Sequence, residues 1–323
     1  MHRRALVTGS AGVLGFAMRL ITADRRDREF VFGTRTDCDL RDAGACQRLF
    51  RRVAPDAVMH LAAVSGGVAL STRYPATLLR DNVLMTINVL EAARLCGAPK
   101  LVMALSSVMY SPNAPQPIKE ESLHLGAAHE SNYSYAYAKR LIEPAVRAYR
   151  AEYGLNVIGL VPNGMFGEGD DFGLESASMP AALMRRFHEG RHSNADLVVW
   201  GDGSPLRELT YARDMACAFL WALDHYEEPD ILNVGTSAEL SVREVAWLIA
   251  DELGIDRRRI VFDHRKPSGV PRKQTDTSRF ARLSGLTFTP FRIGLRNTLA
   301  WLRDNYDVAV QGGAPTAAER CAG

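Results

Sequence analysis

The 323-residue chain has little of what marks an exported, metal-binding or membrane protein. Its five cysteines, Cys38, Cys46, Cys96, Cys217 and Cys321, are an odd set with no CxxC pair. None is grouped with histidine at metal-ligand spacing, so neither a disulfide framework nor a metal centre is expected, and a reducing, cytoplasmic setting is. No apolar run nears the roughly 20 residues that cross a bilayer. Met1-His2-Arg3-Arg4 leads into a strand-type segment rather than the apolar core of a signal peptide. An excess of one charge is missing too. With 39 Lys and Arg against 37 Asp and Glu the net charge is +2, which gives no reason to expect nucleic acid or a membrane surface as partner. Hydrophobic residues at 47% and charged residues at 24% are instead those of a globular chain, long enough for a large domain and a smaller one.

What is present begins at once. Ala5-Leu6-Val7-Thr8 reads as a buried strand, Gly9-Ser10-Ala11-Gly12-Val13-Leu14-Gly15 as a glycine turn, and Phe16 to Ile21 as a helix. In such a unit Gly9 permits the tight turn, Gly12 lets the backbone approach a pyrophosphate, and Gly15 lets helix and strand pack closely. The free N–H groups and positive dipole end of the helix then receive the phosphates. A second strand, Phe30-Val31-Phe32, runs into Gly33-Thr34-Arg35. An NAD site carries an acid here for the ribose hydroxyls; Arg35 pairs better with a 2′-phosphate, so NADP(H) is predicted. Asp39-Leu40 either borders the adenine or, through Asp39, caps the next helix.

Ala57 to Ala63 is another strand, whose small end, Leu61-Ala62-Ala63, lets the cofactor pass. His60 within it reads as a core histidine. Asp81-Asn82 is expected to open a helix of about fifteen residues that stops at Gly97. Leu101 to Leu105 is the next strand and delivers Ser106-Ser107 at its carboxyl end, where open parallel sheets bind ligands. The following helix carries Tyr135 and Lys139, one turn apart on one face. An ammonium beside a phenol favours phenolate and is expected to lower the Tyr135 pKa from about 10 toward neutrality. Ser106 can hold a carbonyl oxygen that Tyr135 protonates while hydride arrives on carbon. Val157 to Val161 adds a further strand. Strands alternating with helices predict an α/β fold, a Rossmann-type doubly wound parallel sheet with a smaller C-terminal α/β substrate domain.

Several segments resemble an extended short-chain dehydrogenase acting on nucleotide sugars, and more closely the GDP-L-fucose synthase family. They are Val64-Ser65-Gly66-Gly67-Val68, Gln116 to Glu121, Arg185-Arg186-Phe187-His188-Glu189, Trp200 to Glu208 and Lys266 to Lys273. The resemblance spans about residues 5 to 305. It implies two chemistries in one site, epimerisation beside a 4-keto group and reduction of that ketone by NADPH. Carried over by position, the reductase set is whole: Ser106, Tyr135 and Lys139, with Lys139 also on the nicotinamide ribose. The epimerase set is not. The family's Cys two residues after the first Ser is Val108 here, and its His falls at Ser178, or at Ala177 with a one-residue shift. Neither side chain titrates near neutral pH. Since general acid–base groups contribute ~10²–10⁴ in rate, epimerisation should be nearly abolished while hydride transfer survives. The expectation is therefore a C4-ketoreductase of a GDP-linked 4-keto sugar, a 6-deoxyhexose or a heptose. The alternatives are a bifunctional enzyme using Glu175, His124 or His129 as base, and a redox-neutral 4-epimerase holding NAD.

By the same resemblance Ser107, Val108, Asn163, Ser178, Arg186, Trp200, Arg207 and Lys273 face the substrate. The family has Asn where Gly164 stands, with Asn163 one place earlier, and Trp200 either flanks the nucleotide or packs. Ser241 with Glu244 three residues on is a helix capping box. The expected division is 1–163 with about 208–237 for NADP(H), 164–207 and 238–311 for the nucleotide sugar, and a flexible tail at 312–323. The resemblance also implies a homodimer through the helices near 81–96 and 135–152.

Overall fold

The computed structural model describes residues 3–173, 176–266 and 269–311. Glu175 and the expected tail, 312–323, lie outside the described residues. The strands are β1 (Arg4–Thr8), β2 (Glu29–Gly33), β3 (Ala57–His60), β4 (Lys100–Ala104), β5 (Asn156–Pro162), β6 (Gly164–Phe166), β7 (Leu197–Trp200), β8 (Leu206–Tyr211), β9 (Leu232–Val234), β10 (Glu239–Ser241) and β11 (Ile260–Asp263). The helices are α1 (Val13–Thr22), α2 (Ala43–Val53), α3 (Val68–Arg73), α4 (Pro75–Cys96), α5 (Tyr133–Arg140), α6 (Ile142–Tyr153), α7 (Met179–Gly190), α8 (Ala212–His225), α9 (Val242–Leu253), α10 (Ser278–Ser284), α11 (Phe291–Asp304) and α12 (Tyr306–Gln311).

Short apolar strands buried at every position, such as β3 and β4, need cover on both faces, which a parallel sheet between helices supplies. Six strands pair in the order β2-β1-β3-β4-β5-β9, all parallel. On one face Phe50 of α2, Val89 of α4 and Val146 of α6 pack against Leu101 and Val157. On the other, Met18 of α1 and Phe219 of α8 pack against Val7, Met59 and Ile158. The chain leaves β1 for β2 on one side and returns to β3 on the other. The carboxyl ends of β1 and β3 therefore flank a topological switch point, where such sheets hold ligands.

A third core gathers around Phe166, Phe187, Ile249 and Leu299, between α7, α9, α11 and the small sheets β10-β8-β6 and β11-β7. β9 returns to the main sheet beside β5, as expected from the sequence. The Ser241–Glu244 capping box is present, with Ser241 N donating to Glu244 Oε2 at 2.7 Å.

One boundary is corrected. α4 starts at Pro75, not at Asp81, and runs to the predicted stop at Gly97 (φ +70°). Asp81 and Asn82 are buried within the helix rather than capping it. Asp81 pairs with Arg41 at 3.0 Å and Arg80 at 2.7 Å; Asn82 Oδ1 accepts from Val64 N at 3.0 Å. Polar residues that resemble a helix start are here tethers of the segment after β3.

Candidate active site

A cleft of about 680 Å³ opens at the switch point, within the usual range for a ligand site. All of the predicted turn from Gly9 to Gly15 lines it except Ser10. Ser10 is buried, its hydroxyl donating to Gly33 O at 3.0 Å and accepting from Arg19 Nη2 at 2.9 Å. That side chain braces the turn instead of facing a ligand. The glycines differ in their reasons. Gly9 has φ +73°, and a Cβ there would lie 2.4 Å from Ala62 N. A Cβ on Gly15 would lie 2.4 Å from Gly9 O. Gly12, the N-cap of α1, is different: a Cβ would meet only Gly9 O, at 3.6 Å. Internal packing does not demand glycine there, so its bareness serves what lies above it. No acid stands in the first turn of α1, leaving its amides open to an anion.

Arg35, Asp39, Leu40, Leu61, Ala62 and Ala63 line the cleft as predicted. Asp39 is not a helix cap: Asp42 caps α2, accepting from Ala45 N at 3.0 Å. The Asp39 carboxylate is held by Arg41 at 2.6 Å, which keeps it below the usual carboxylate range. His60 is the core histidine expected. It is 2.8 Å from Thr8 Oγ1, and burial pushes it down to about 3.

At the far end Ser106, Tyr135 and Lys139 come together on the cleft wall. Ser106 follows β4, and its hydroxyl hydrogen-bonds the Tyr135 phenol. Lys139, one turn after Tyr135 on α5, is buried, with Nζ 5.9 Å from the Tyr135 ring centre and donating to Ala104 O at 2.8 Å. The expected lowering of Tyr135 is corrected. Burial pushes the phenol up to about 12, against the Ser106 hydrogen bond, and pushes Lys139 down to about 8. The ammonium is spent on Ala104 O rather than on the phenol oxygen. The result is a phenol that stays protonated at neutral pH, the form needed to give a proton to a carbonyl oxygen.

Residues 5–235 match the NAD dependent epimerase/dehydratase family. Over 312 residues the chain is 33% identical to GDP-L-fucose synthase of Dictyostelium discoideum, covering 95% of this chain and 97% of that one. The chain belongs to the GDP-L-fucose synthase family. A GDP-L-fucose synthetase of Naegleria fowleri solved bound to NADP superimposes with a TM-score of 0.88 at 32% identity, covering 95% of this chain and 96% of that one. MlghC, the GDP-mannoheptose C4 reductase of Campylobacter jejuni solved with NADP bound, gives 0.81 at 25% identity over 93% and 98%. Within this family the chain is an NADP(H)-dependent oxidoreductase acting on a nucleotide sugar. The bare Gly12, the acid-free start of α1 and Arg35 beyond β2 fit that dinucleotide.

The two family positions for proton shuttling hold side chains that cannot do it. Val108 sits half-buried in a 3-10 turn, Ser107–Met109, after β4. Ser178 lines the cleft at the N-cap of α7, its hydroxyl buried without a partner. Neither Ser107, which is buried, nor Val108 lines the cleft, a correction to their expected substrate contact. His124 is 3.2 Å from Glu143 and His129 bonds Ser131; neither lines the cleft.

Asn163 is a second correction. It is buried, accepts from Thr210 Oγ1 at 2.6 Å and donates to Thr236 O at 2.9 Å, so it ties β5 to β8 and the end of β9. The neighbouring Gly164 admits no side chain, since a Cβ would lie 2.4 Å from Glu208 O. Arg186 donates to Val198 O at 2.5 Å, joining α7 to β7. Trp200 is exposed, with Lys266 Nζ 5.4 Å from its ring centre. Arg207 donates to Val270 O at 2.8 Å. Burial and Arg207 together push Lys273 down to about 8. Two neighbouring buried cations suit a diphosphate.

The structure adds cleft residues that the pattern did not single out: Asp170, Asp171 and Ser176 from the loop before α7, Ser65 to Gly67 before α3, and Trp301, Val308 and Ala309 from α11 and α12. The loop crosses the cleft, because Gly67 N donates to Ser176 O at 3.3 Å and Gly169 rests on Phe16 of α1. Its run of Gly, Asp and Ser after β6 is a signal for a covering loop. Nothing in the sequence near Trp301 or Val308 places them against residues nearly three hundred positions earlier.

Proposed function

We propose that the chain reduces the C4 ketone of a GDP-linked sugar with NADPH and has lost the 3,5-epimerase function. One observation carries this reading: Ser106, Tyr135 and Lys139 meet on the cleft wall, while the positions for proton shuttling hold Val108 and Ser178. When bound, the reduced nicotinamide supplies the hydride that becomes the C4–H bond. Tyr135 gives its phenol proton to O4, and solvent returns one to Tyr135. Ser106 orients the carbonyl oxygen beside that phenol. Lys139, under Tyr135, holds the ribose and sets local charge. Arg207 and Lys273 hold the diphosphate of the sugar nucleotide, and Trp200 flanks its base. The GDP assignment draws on the named activities of the relatives, a fucose synthase and a heptose C4 reductase.

The division of the chain into cofactor and sugar parts belongs to this reading and is supported by the separate third core. So does a homodimer, supported by the exposed Leu84, Ile87 and Leu95 on α4 and Leu141 and Tyr153 beside them. The free Cys38, Cys46, Cys96 and Cys217 agree with a cytoplasmic setting.

The bifunctional reading has one observation in its favour, the Asp170 carboxyl in the cleft. Turnover of GDP-4-keto-6-deoxymannose and of a GDP-4-keto-heptose with NADPH in heavy water, read by mass spectrometry and NMR, separates the readings. Stoichiometric NADPH oxidation with no deuterium at C3 or C5 is expected. Wash-in at either carbon would overturn the reductase-only reading, and product without net NADPH oxidation would mean a 4-epimerase.

A further inference from the structure

Among the described residues four buried side-chain polar atoms lack a partner, and two of them, Asp170 Oδ2 and Ser178 Oγ, belong to residues that line the cleft. Ser178 stands near the sugar end. Asp170 stands elsewhere. Gly169, at φ +72°, lies so close to α1 that a Cβ would come within 2.4 Å of the Phe16 ring. Phe16 is in the first turn of α1, four residues after Gly12, so the carboxyl of the next residue is beside the seat of the diphosphate. Asp170 Oδ1 is used, accepting from Asp171 N at 2.8 Å. Oδ2 is sealed from solvent although the residue as a whole is only half-buried.

No cation answers it. Asp171, next in sequence, is another acid. Arg185 of α7 is engaged by Phe172 O at 2.7 Å and Glu189 at 2.7 Å. Arg213 of α8 is engaged by Glu168 at 2.7 Å. From α11 and α12 the cleft receives only Trp301, Val308 and Ala309. Arg35, Asp39, Arg41, Tyr135 and Lys139 are the other charged or titratable groups on its wall. A buried carboxylate set against an anionic ligand would be repelled; the same group with its proton becomes a donor to it.

We propose that Asp170 is a proton-carrying contact to the dinucleotide diphosphate, giving its hydrogen to a phosphate oxygen, so that NADP(H) binds together with one proton from solution. Burial already pushes this carboxyl up to about 7, with Asp171 adding to it. A diphosphate beside it raises it further. Above pH 7, and up to the value in the complex, the free protein is ionised and the complex is not. Affinity is then independent of pH below about 7 and falls above it, approaching tenfold per pH unit.

The test needs no sugar, so it stands or fails apart from the reductase reading. NADP+ is titrated calorimetrically into the full chain at pH 8 in phosphate, HEPES and Tris, whose ionisation heats differ, to count protons taken up. The 2′-phosphate is dianionic there and contributes little. Lys139, near 8, contributes equally to wild type and variant. Wild type is expected to take up close to one proton more than Asp170→Asn, and the variant to lose the fall of affinity between pH 7 and 9. Asp171→Asn should keep the uptake. Equal uptake in wild type and Asp170→Asn overturns the proposal. So does a wild type that takes up none, a result that needs no variant to fold.

Discussion

Replacing Gly12 by alanine separates the two reasons a glycine can stand in the turn. The backbone there is extended (φ −83°, ψ 170°), which alanine adopts freely, and the new methyl would meet only Gly9 O at 3.6 Å. Stability should therefore change by no more than about 0.5 kcal/mol. The same change at Gly9 forces φ +73°, costing about 1–2 kcal/mol, and drives a Cβ to 2.4 Å from Ala62 N, where backbone must move. Cofactor binding should show the reverse contrast. A methyl over the N-terminus of α1 keeps the diphosphate from the amides, and one lost hydrogen bond to a charged group is worth about 1.5–3 kcal/mol. With tenfold in affinity for each 1.4 kcal/mol, Gly12→Ala should bind NADPH about 10–100 times more weakly at nearly unchanged Tm. Thermal unfolding by circular dichroism and NADPH fluorescence titration read the two quantities. An unaltered Kd would refute the placement of the diphosphate over Gly12, and a fall of many degrees in Tm would refute the packing argument.

Tyr135→Phe should retain NADPH affinity within a factor of two and lose about 10²–10⁴ in kcat, because only the proton donor is removed; stopped-flow reduction with separate cofactor titration checks it. In the wild type the first basic limb of kcat should fall near pH 8. There Lys139, pushed down by burial, gives up its charge, while Tyr135 stays protonated to about 12. A limb near 6 would contradict both assignments. Asn163→Ala should lower stability by about 2–3 kcal/mol, since Thr210 and Thr236 lose their buried partner, and leave the sugar KM unchanged in the folded fraction. Denaturant unfolding and steady-state kinetics test this, and a raised KM at full stability would restore Asn163 as a substrate contact.

How much could be read in advance follows from the range of the interactions. Gly9, Gly12 and Gly15 act within seven residues, and Tyr135 and Lys139 within one helical turn, so their purpose was legible from spacing alone. Buried runs such as Leu101 to Leu105 announced parallel strands because both faces need cover, and Gly97 and the Ser241–Glu244 pair marked helix ends through local backbone demands. The start of α4 was misplaced for the complementary reason. Asp81 looks like a cap to its neighbours, and only Arg41, forty residues away, reveals it as a buried ion-pair partner.

By itself the sequence determined the doubly wound sheet, the dinucleotide turn, the reducing triad and the family, since each rests on short-range geometry or on many dispersed segments. Only the tertiary structure decided that Asn163 is a brace, that Ser107 and Val108 turn away from the cleft, and that Asp170 stands over α1 without a counter-ion. It also decided the protonation of the site. A phenol expected to drop toward neutrality rises to about 12, because desolvation by walls from distant parts of the chain outweighs an ammonium that spends its hydrogen bond on Ala104. Burial belongs to the assembled fold, and no local pattern of residues encodes it.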